Sequence, residues 1–315
     1  MKLLQISLLS FMVIATSALA LSVASGSLQI TQVKKEEKVF SPVPVVSKSA
    51  SFPIMSAQAA LAIDLDSGVT LYEKNPDSPF LPASTTKIIT ALVAMEYYPL
   101  NLVVKVPKIK VEGQKMGLIP GEEIEVEDLL YGLLVYSAND AAEALAQSFP
   151  GGRDLFIAAM NIKTKELNLN HSKFSNPAGL DDGDGHVTTA RDLIRVAEIA
   201  IANPIFAKIV ATKERMVKSA NGKVAHQLTN INELLGSVPG VKGVKTGWTE
   251  NARENLVTYL ERDGKRIMIV LLGSQDRFGE TRELIDWIFA SYTWEEVKPP
   301  LSLRNIREKL LVDKR

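Results

Sequence analysis

The sequence predicts a mixed α/β (α+β) domain in which one antiparallel sheet is assembled from both ends and a helical lobe is inserted between them. Three observations carry this expectation. Strand-like apolar runs occur over 59–73 and return over 243–272, each folded about a turn signal, Asp66-Ser67-Gly68 and Asp263-Gly264. The stretch between them, from Val126 to Phe206, is mostly of helical period. At 315 residues the chain is long enough to bury a large core.

Taken in order, the chain opens on Lys2 and an almost unbroken apolar run from Leu3 to Val23, with Ala18-Leu19-Ala20 as a small-x-small cleavage site. Residues 1–23 are therefore expected to be an export signal or, at about 1.5 Å per residue, a retained membrane anchor. Residues 24–55 are rich in Ser, Lys, Pro and Val with no sustained period, and are expected to form a flexible linker. The folded domain is expected over 56–294. Residues 295–315 make a short basic tail with Leu303, Ile306, Leu310 and Leu311 loosely on one face.

Within the domain, Ala59–Asp64 and Val69–Glu73 read as a hairpin, and Pro82-Ala83-Ser84 opens a helix from Thr85 to about Tyr97. Further helices are expected over Glu127–Tyr136, Asp140–Phe149, Asp154–Leu169 and Thr189–Ala202, with a loop at Gly183-Asp184-Gly185. Strands are expected over Lys208–Val217, Gly243–Thr246, Asn255–Leu260 and Arg266–Leu272. A last helix, Glu280–Tyr292, carries Leu284, Ile285, Ile288 and Phe289 on its apolar face.

Composition excludes several functions. Lys+Arg and Asp+Glu are both 36, so no net field points to nucleic acid. There is no cysteine, which removes disulfides, thiol catalysis and thiolate metal sites and fits an exported chain. His171, His186 and His226 are scattered without ligand spacing, so no metal and no cofactor are expected.

Three short motifs carry the chemistry: Ser84-Thr-Thr-Lys87, Ser137-Ala-Asn139 and Lys245-Thr246-Gly247. Ser84 and Lys87, three residues apart at a helix start, share a face. A lysine amine that burial or a second cation holds unprotonated takes the proton of a serine hydroxyl, which is a weak nucleophile until then. Lys245 is the candidate second cation. Ser137 is expected to pass a proton to the leaving amine and Asn139 to hold a substrate amide. A glycine on an edge strand admits a peptide-like substrate close to the backbone. Lys245 would offer charge, Thr246 a hydroxyl for a carboxylate, and the Trp248 N–H would join that of Ser84 as oxyanion donors. Ser-Ala-Asn recurs at Ser219-Ala-Asn221, where Gly222 follows between two strand-like runs, so that copy reads as a hairpin tip.

With these motifs the chain resembles the D-alanyl-D-alanine carboxypeptidase (S11 serine peptidase) family, the low-molecular-mass penicillin-binding proteins. The likeness spans about Ser56 to Trp294. It includes Pro82-Ala-Ser-Thr-Thr-Lys-Ile-Ile-Thr90, Phe174-Ser-Asn-Pro-Ala-Gly-Leu180, Gly185-His-Val-Thr-Thr-Ala-Arg-Asp192 and Gly240-Val-Lys-Gly-Val-Lys-Thr-Gly247. The resemblance implies the penicillin-binding/β-lactamase-like acyl-transferase fold and an acyl-enzyme on Ser84. It implies peptidoglycan stem peptides ending in D-Ala-D-Ala as substrate, β-lactam antibiotics as covalent inhibitors, and action outside the cytoplasm. Arg277 resembles the family arginine that helps hold the terminal carboxylate, a task suited to a planar charged fork.

Two departures stand out. Many relatives carry Thr-x-x-Ala-Gly after the third motif, whereas Thr249-Glu-Asn-Ala-Arg253 has arginine at the glycine position, facing either the mouth of the site or solvent. The sequence also runs only to Arg315, soon after Trp294, so the C-terminal β-domain of many family carboxypeptidases is not expected. Phe149-Pro-Gly-Gly152 with Asn161 resembles shorter relatives that cut crosslinks, which keeps a D,D-endopeptidase as an alternative. Glu166-Leu-Asn-Leu-Asn170 superficially matches the Glu-x-x-x-Asn of a class A-type β-lactamase, and a non-catalytic cell-wall binding module is the rival from outside the enzymes.

Overall fold

The computed structural model describes residues 41–47, 51–181 and 185–297. In chain order the elements are β1 (Val43–Val46), β2 (Ala59–Asp64), β3 (Thr70–Lys74) and a 3₁₀ turn (Ala83–Thr86) that runs into α1 (Lys87–Tyr97). Next come β4 (Val103–Lys105), β5 (Glu123–Glu125), α2 (Val126–Leu134), α3 (Asn139–Gln147), α4 (Arg153–Glu166), α5 (Ala190–Ile201) and α6 (Pro204–Val210). The chain closes with β6 (Glu214–Lys218), β7 (Ala225–Thr229), β8 (Val241–Thr249), β9 (Arg253–Arg262), β10 (Lys265–Ser274), α7 (Arg277–Ser291) and β11 (Tyr292–Glu295).

The central sheet has the order β3-β2-β10-β9-β8, all neighbours antiparallel, so the first hairpin does join the last strands. Side chains alternate across a strand, and β10 shows what this does here. Ile267, Ile269 and Leu271 pack with Leu284, Ile285 and Ile288 of α7 on one face. Met268, Val270 and Leu272 join the helical lobe on the other. A strand buried on both faces needs an unbroken apolar run rather than alternation, which is why Arg266–Leu272 reads as it does. Each such side chain contributes roughly 1.5–3 kcal/mol relative to exposure.

Two expected elements differ. Pro204–Val210 is a helix, not the start of a strand at Lys208. The Asn203 side chain accepts hydrogen bonds from the N–H groups of Ile205 and Phe206, with Pro204 in the first turn, and Phe206, Ile209 and Val210 are buried at helical spacing. The strand begins only at Glu214. Part of the expected linker is also structured: Val43–Val46 pairs antiparallel with Tyr292–Glu295, Met55 is buried, and Phe52 packs against Trp287. Pro44 is tolerated because in a two-stranded ribbon its missing N–H costs no central ladder bond. The N-terminal apolar run, Gly183-Asp184 and the tail from Lys298 onward lie outside the described residues. Among the described residues no helix is long and apolar enough to cross a membrane.

Candidate active site

β8 is an edge strand of the central sheet, and the 3₁₀ turn carrying Ser84 lies against it. The contact is close: a Cβ on Gly247 would stand 3.1 Å from the Ala83 Cβ, the Pro82 carbonyl oxygen and the Ser84 nitrogen. A side chain here would press on the nucleophile's own turn as well as on an incoming substrate. Gly179 makes a second such approach, with φ +87° and a hypothetical Cβ 1.9 Å from the Ala83 oxygen. Asn255 of β9, fully buried, ties the turn to the sheet. Its Nδ2 donates to the carbonyls of Leu81 (2.9 Å) and Pro82 (3.0 Å), and its Oδ1 accepts from the Gly273 N–H.

Lys87 is buried one turn beyond Ser84, with Nζ 2.8 Å from Ser84 Oγ, 2.7 Å from Asn139 Oδ1 and 2.6 Å from the Ala178 carbonyl oxygen. The last two groups only accept. The Asn139 amide is oriented by its Nδ2, which donates to the Glu112 carbonyl at 2.7 Å. A neutral amine has two N–H bonds and one lone pair, so two N–H groups committed to Asn139 and Ala178 aim the lone pair at the Ser84 hydroxyl.

Burial, the larger influence, lowers Lys87 from the ordinary lysine range to about 7, while the Asp140 carboxylate pulls it back up. Lys245 is pushed well down by burial first, then by Lys87 and Arg277. Burial, and not the second cation expected from sequence, is therefore what lowers Lys87.

Ser137 sits between α2 and α3 at φ +63°, nearly fully buried, and accepts a hydrogen bond from Lys245 Nζ at 2.8 Å. The same amine donates to the Thr246 carbonyl at 2.9 Å. Asn139 differs from expectation: its carbonyl oxygen is held by Lys87 rather than left for a substrate amide.

Ser84, Ser137, Asn139, Thr246, Gly247, Trp248 and Arg277 all line one open cleft of about 1150 Å³, with Lys87 and Lys245 bonded to its serines. Arg277 Nη1 donates to the Gly247 carbonyl at 2.9 Å, while Arg277 Nε and Thr246 Oγ1 are buried with no partner. Unpaired polar atoms on Thr246 and on an arginine tied to the next residue of β8 are candidates to hold an anion.

Several contributors escaped sequence reasoning. Asp140 accepts hydrogen bonds from three successive N–H groups, Met116, Gly117 and Leu118, just after the 110–114 wall of the cleft. The Ala178 and Glu112 carbonyls are invisible in side-chain motifs. Asn176, within Phe174–Leu180, hinted at the first: its Oδ1 accepts from the N–H groups of Ala178, Gly179 and Leu180, fixing that carbonyl under Lys87.

Arg253 has φ +58°, is exposed and does not line the cleft, so it faces solvent. Relatives' glycine there suits the same backbone conformation. Glu166 is an exposed partner of Lys163 and brings no carboxylate to the cleft, as the β-lactamase alternative would need. Asn161 pins the segment starting at Phe174 through hydrogen bonds with both its N–H (3.0 Å) and its carbonyl (2.7 Å).

A family model described as D-alanyl-D-alanine carboxypeptidase matches residues 46–276. The D-alanyl-D-alanine carboxypeptidase DacB2 of Mycobacterium tuberculosis is 37% identical over 256 residues, 78% of this chain and 87% of the relative. A D-alanyl-D-alanine endopeptidase of Escherichia coli is 31% identical over 250 residues, 76% of this chain and 79% of its own. Among solved structures, a D-alanyl-D-alanine carboxypeptidase of M. tuberculosis superposes with a TM-score of 0.73 at 35% identity, covering 80% of this chain and 98% of its own.

Proposed function

The chain belongs to the D-alanyl-D-alanine carboxypeptidase family, and on that premise we propose how its own residues remove the terminal D-Ala from a peptidoglycan stem peptide. The observation that carries the reading is the Lys87 amine 2.8 Å from Ser84 Oγ in a buried setting that brings it to about 7.

Ser84 attacks the penultimate D-Ala carbonyl while neutral Lys87 takes its proton. The backbone N–H groups of Ser84 and Trp248 stabilise the tetrahedral oxyanion, each donor contributing about 3 kcal/mol by the measure of other such sites. Ser137, with Lys245 behind it, relays a proton to the departing amine. The Thr246 hydroxyl and Arg277 hold the terminal carboxylate, which supplies the partners their buried donors lack. Asn139 acts on the base rather than on the substrate. Water then releases the shortened stem from Ser84. A β-lactam enters the same sequence and leaves Ser84 acylated.

The substrate lies outside the cytoplasm, and so does the activity. Residues 1–23 serve as an export signal or a membrane anchor. Sequencing the mature N-terminus decides between cleavage and anchoring.

Labelling with fluorescent penicillin, lost in Ser84→Ala, tests the nucleophile; a variant that still labels removes Ser84 from the role. Weighing the products from uncrosslinked and crosslinked muropeptides tests the reaction: loss of one alanine supports the carboxypeptidase, and a split dimer the endopeptidase that the E. coli relative brings into view.

A further inference from the structure

We propose that the Trp248 indole is the apolar wall of the leaving-group subsite, so that the size of the departing D-amino acid is a specificity determinant; this rests on the acyl-transfer reading of Ser84. Thr246 and Trp248 are two apart on β8, so their side chains stand on the same face of the strand. The unpaired Thr246 hydroxyl and Arg277 Nε mark where the terminal carboxylate sits, and the Gly247 carbonyl between them is held by Arg277. The Cα bearing that carboxylate is one bond away from it. Its side chain therefore falls beside the next residue on that face, Trp248.

The state of the indole fits this role. Trp287 and Trp294 pack against other rings, Trp287 with Phe52, Tyr72 and Tyr292, and Trp294 with Phe289. Trp248 shows no ring partner among the described residues and is 63% exposed while lining the cleft. A large apolar side chain left in water beside two unpaired buried donors suits a ligand with a carboxylate and a small apolar group on one carbon.

The wall is also braced. Thr249 Oγ1 donates to Asp181 Oδ1 and accepts from the Ala252 N–H, both at 3.0 Å, which joins the turn after Trp248 to the segment after Gly179. With both lips tied together, a bulkier leaving group must meet the indole rather than displace the strand. A D-Ala methyl packs on it; a longer side chain clashes.

The test uses the full-length protein and diacyl-L-Lys-D-Ala-D-Xaa peptides with Xaa as Ala or Leu, following the released D-amino acid. The unaltered protein should prefer D-Ala over D-Leu in kcat/KM by about tenfold or more, within the range that hydrophobic pockets reach. Trp248→Ala should bring the ratio within about threefold, with the loss on D-Ala appearing mainly in KM. Trp248→Phe should fall between, and cooperative thermal unfolding of each variant reports an intact fold. An unchanged ratio in a folded, active Trp248→Ala overturns the inference and leaves the assigned reaction standing. Absence of any preference in the unaltered protein does the same. An unaltered protein that neither labels nor cleaves overturns the acyl-transfer reading and this inference with it.

Discussion

Ser-Ala-Asn occurs at Ser137-Ala-Asn139 and at Ser219-Ala-Asn221, and the two copies behave as different objects. In the second, Ser219 Oγ donates to Asn221 Oδ1 and accepts from the Val224 N–H, both at 2.9 Å. Asn221 Oδ1 also accepts from the Lys223 N–H, so every partner of the two side chains lies within five residues and the tripeptide ties off the β6–β7 hairpin. In the first, Ser137 meets Lys245 from 108 residues away and Asn139 meets Lys87 from 52 away. The residues are the same; the distance of their partners along the chain separates a turn from a site. Each copy buries its serine almost completely, so burial alone does not tell them apart.

That contrast is open to direct attack. The largest effect should come from removing the lysine that makes the first copy chemical: Lys87→Ala should slow penicillin acylation of Ser84 by about 10³-fold, within the range for lost general bases. Near-normal stopped-flow acylation in that variant would place the base elsewhere.

Next, the two serines can be set against each other. Ser137→Ala should reduce D-Ala release by about 100-fold, whereas Ser219→Ala should leave kcat and KM unchanged. Comparable losses in both would mean that the second copy also touches the reaction.

A smaller effect separates the copies by pH. Lys87, lowered to about 7 by burial, is the base only when neutral. Acylation should therefore level off above pH 7 and fall about tenfold per unit below it, the slope of a single titrating group. A profile flat down to pH 5 would sink the lysine as base.

The smallest effect belongs to the hairpin. Ser219→Ala strips the Val224 N–H of its partner and should lower stability by about 1–2 kcal/mol in urea unfolding, with no change in the pH profile.

Much of the fold was legible because it rests on local period: the hairpin turns, the six expected helices and the doubly buried β10 each carry their own pattern. The exceptions have local causes too. Ile209-Val210 is β-branched and read as strand, yet the Asn203-Pro204 cap and the spacing of Phe206, Ile209 and Val210 decided for helix. Nothing in Val43–Val46 announced a strand, because its partner lies at Tyr292–Glu295, almost the whole chain away.

By itself, the order of residues determined which groups exist and which short-range geometry each adopts: a serine three before a lysine at a helix start, a glycine after Lys245-Thr246, a turn at Asn221-Gly222. Only the tertiary structure decided that Asn139 and the Ala178 carbonyl meet the lysine amine, that Gly247 lies against the Ser84 turn, and that Trp248 stands open at the lip. The reason is physical. Propensity and capping act over a few residues, whereas desolvating an amine and orienting its lone pair take acceptors and apolar walls from several segments at once, and those meet only when the sheet closes on the helical lobe.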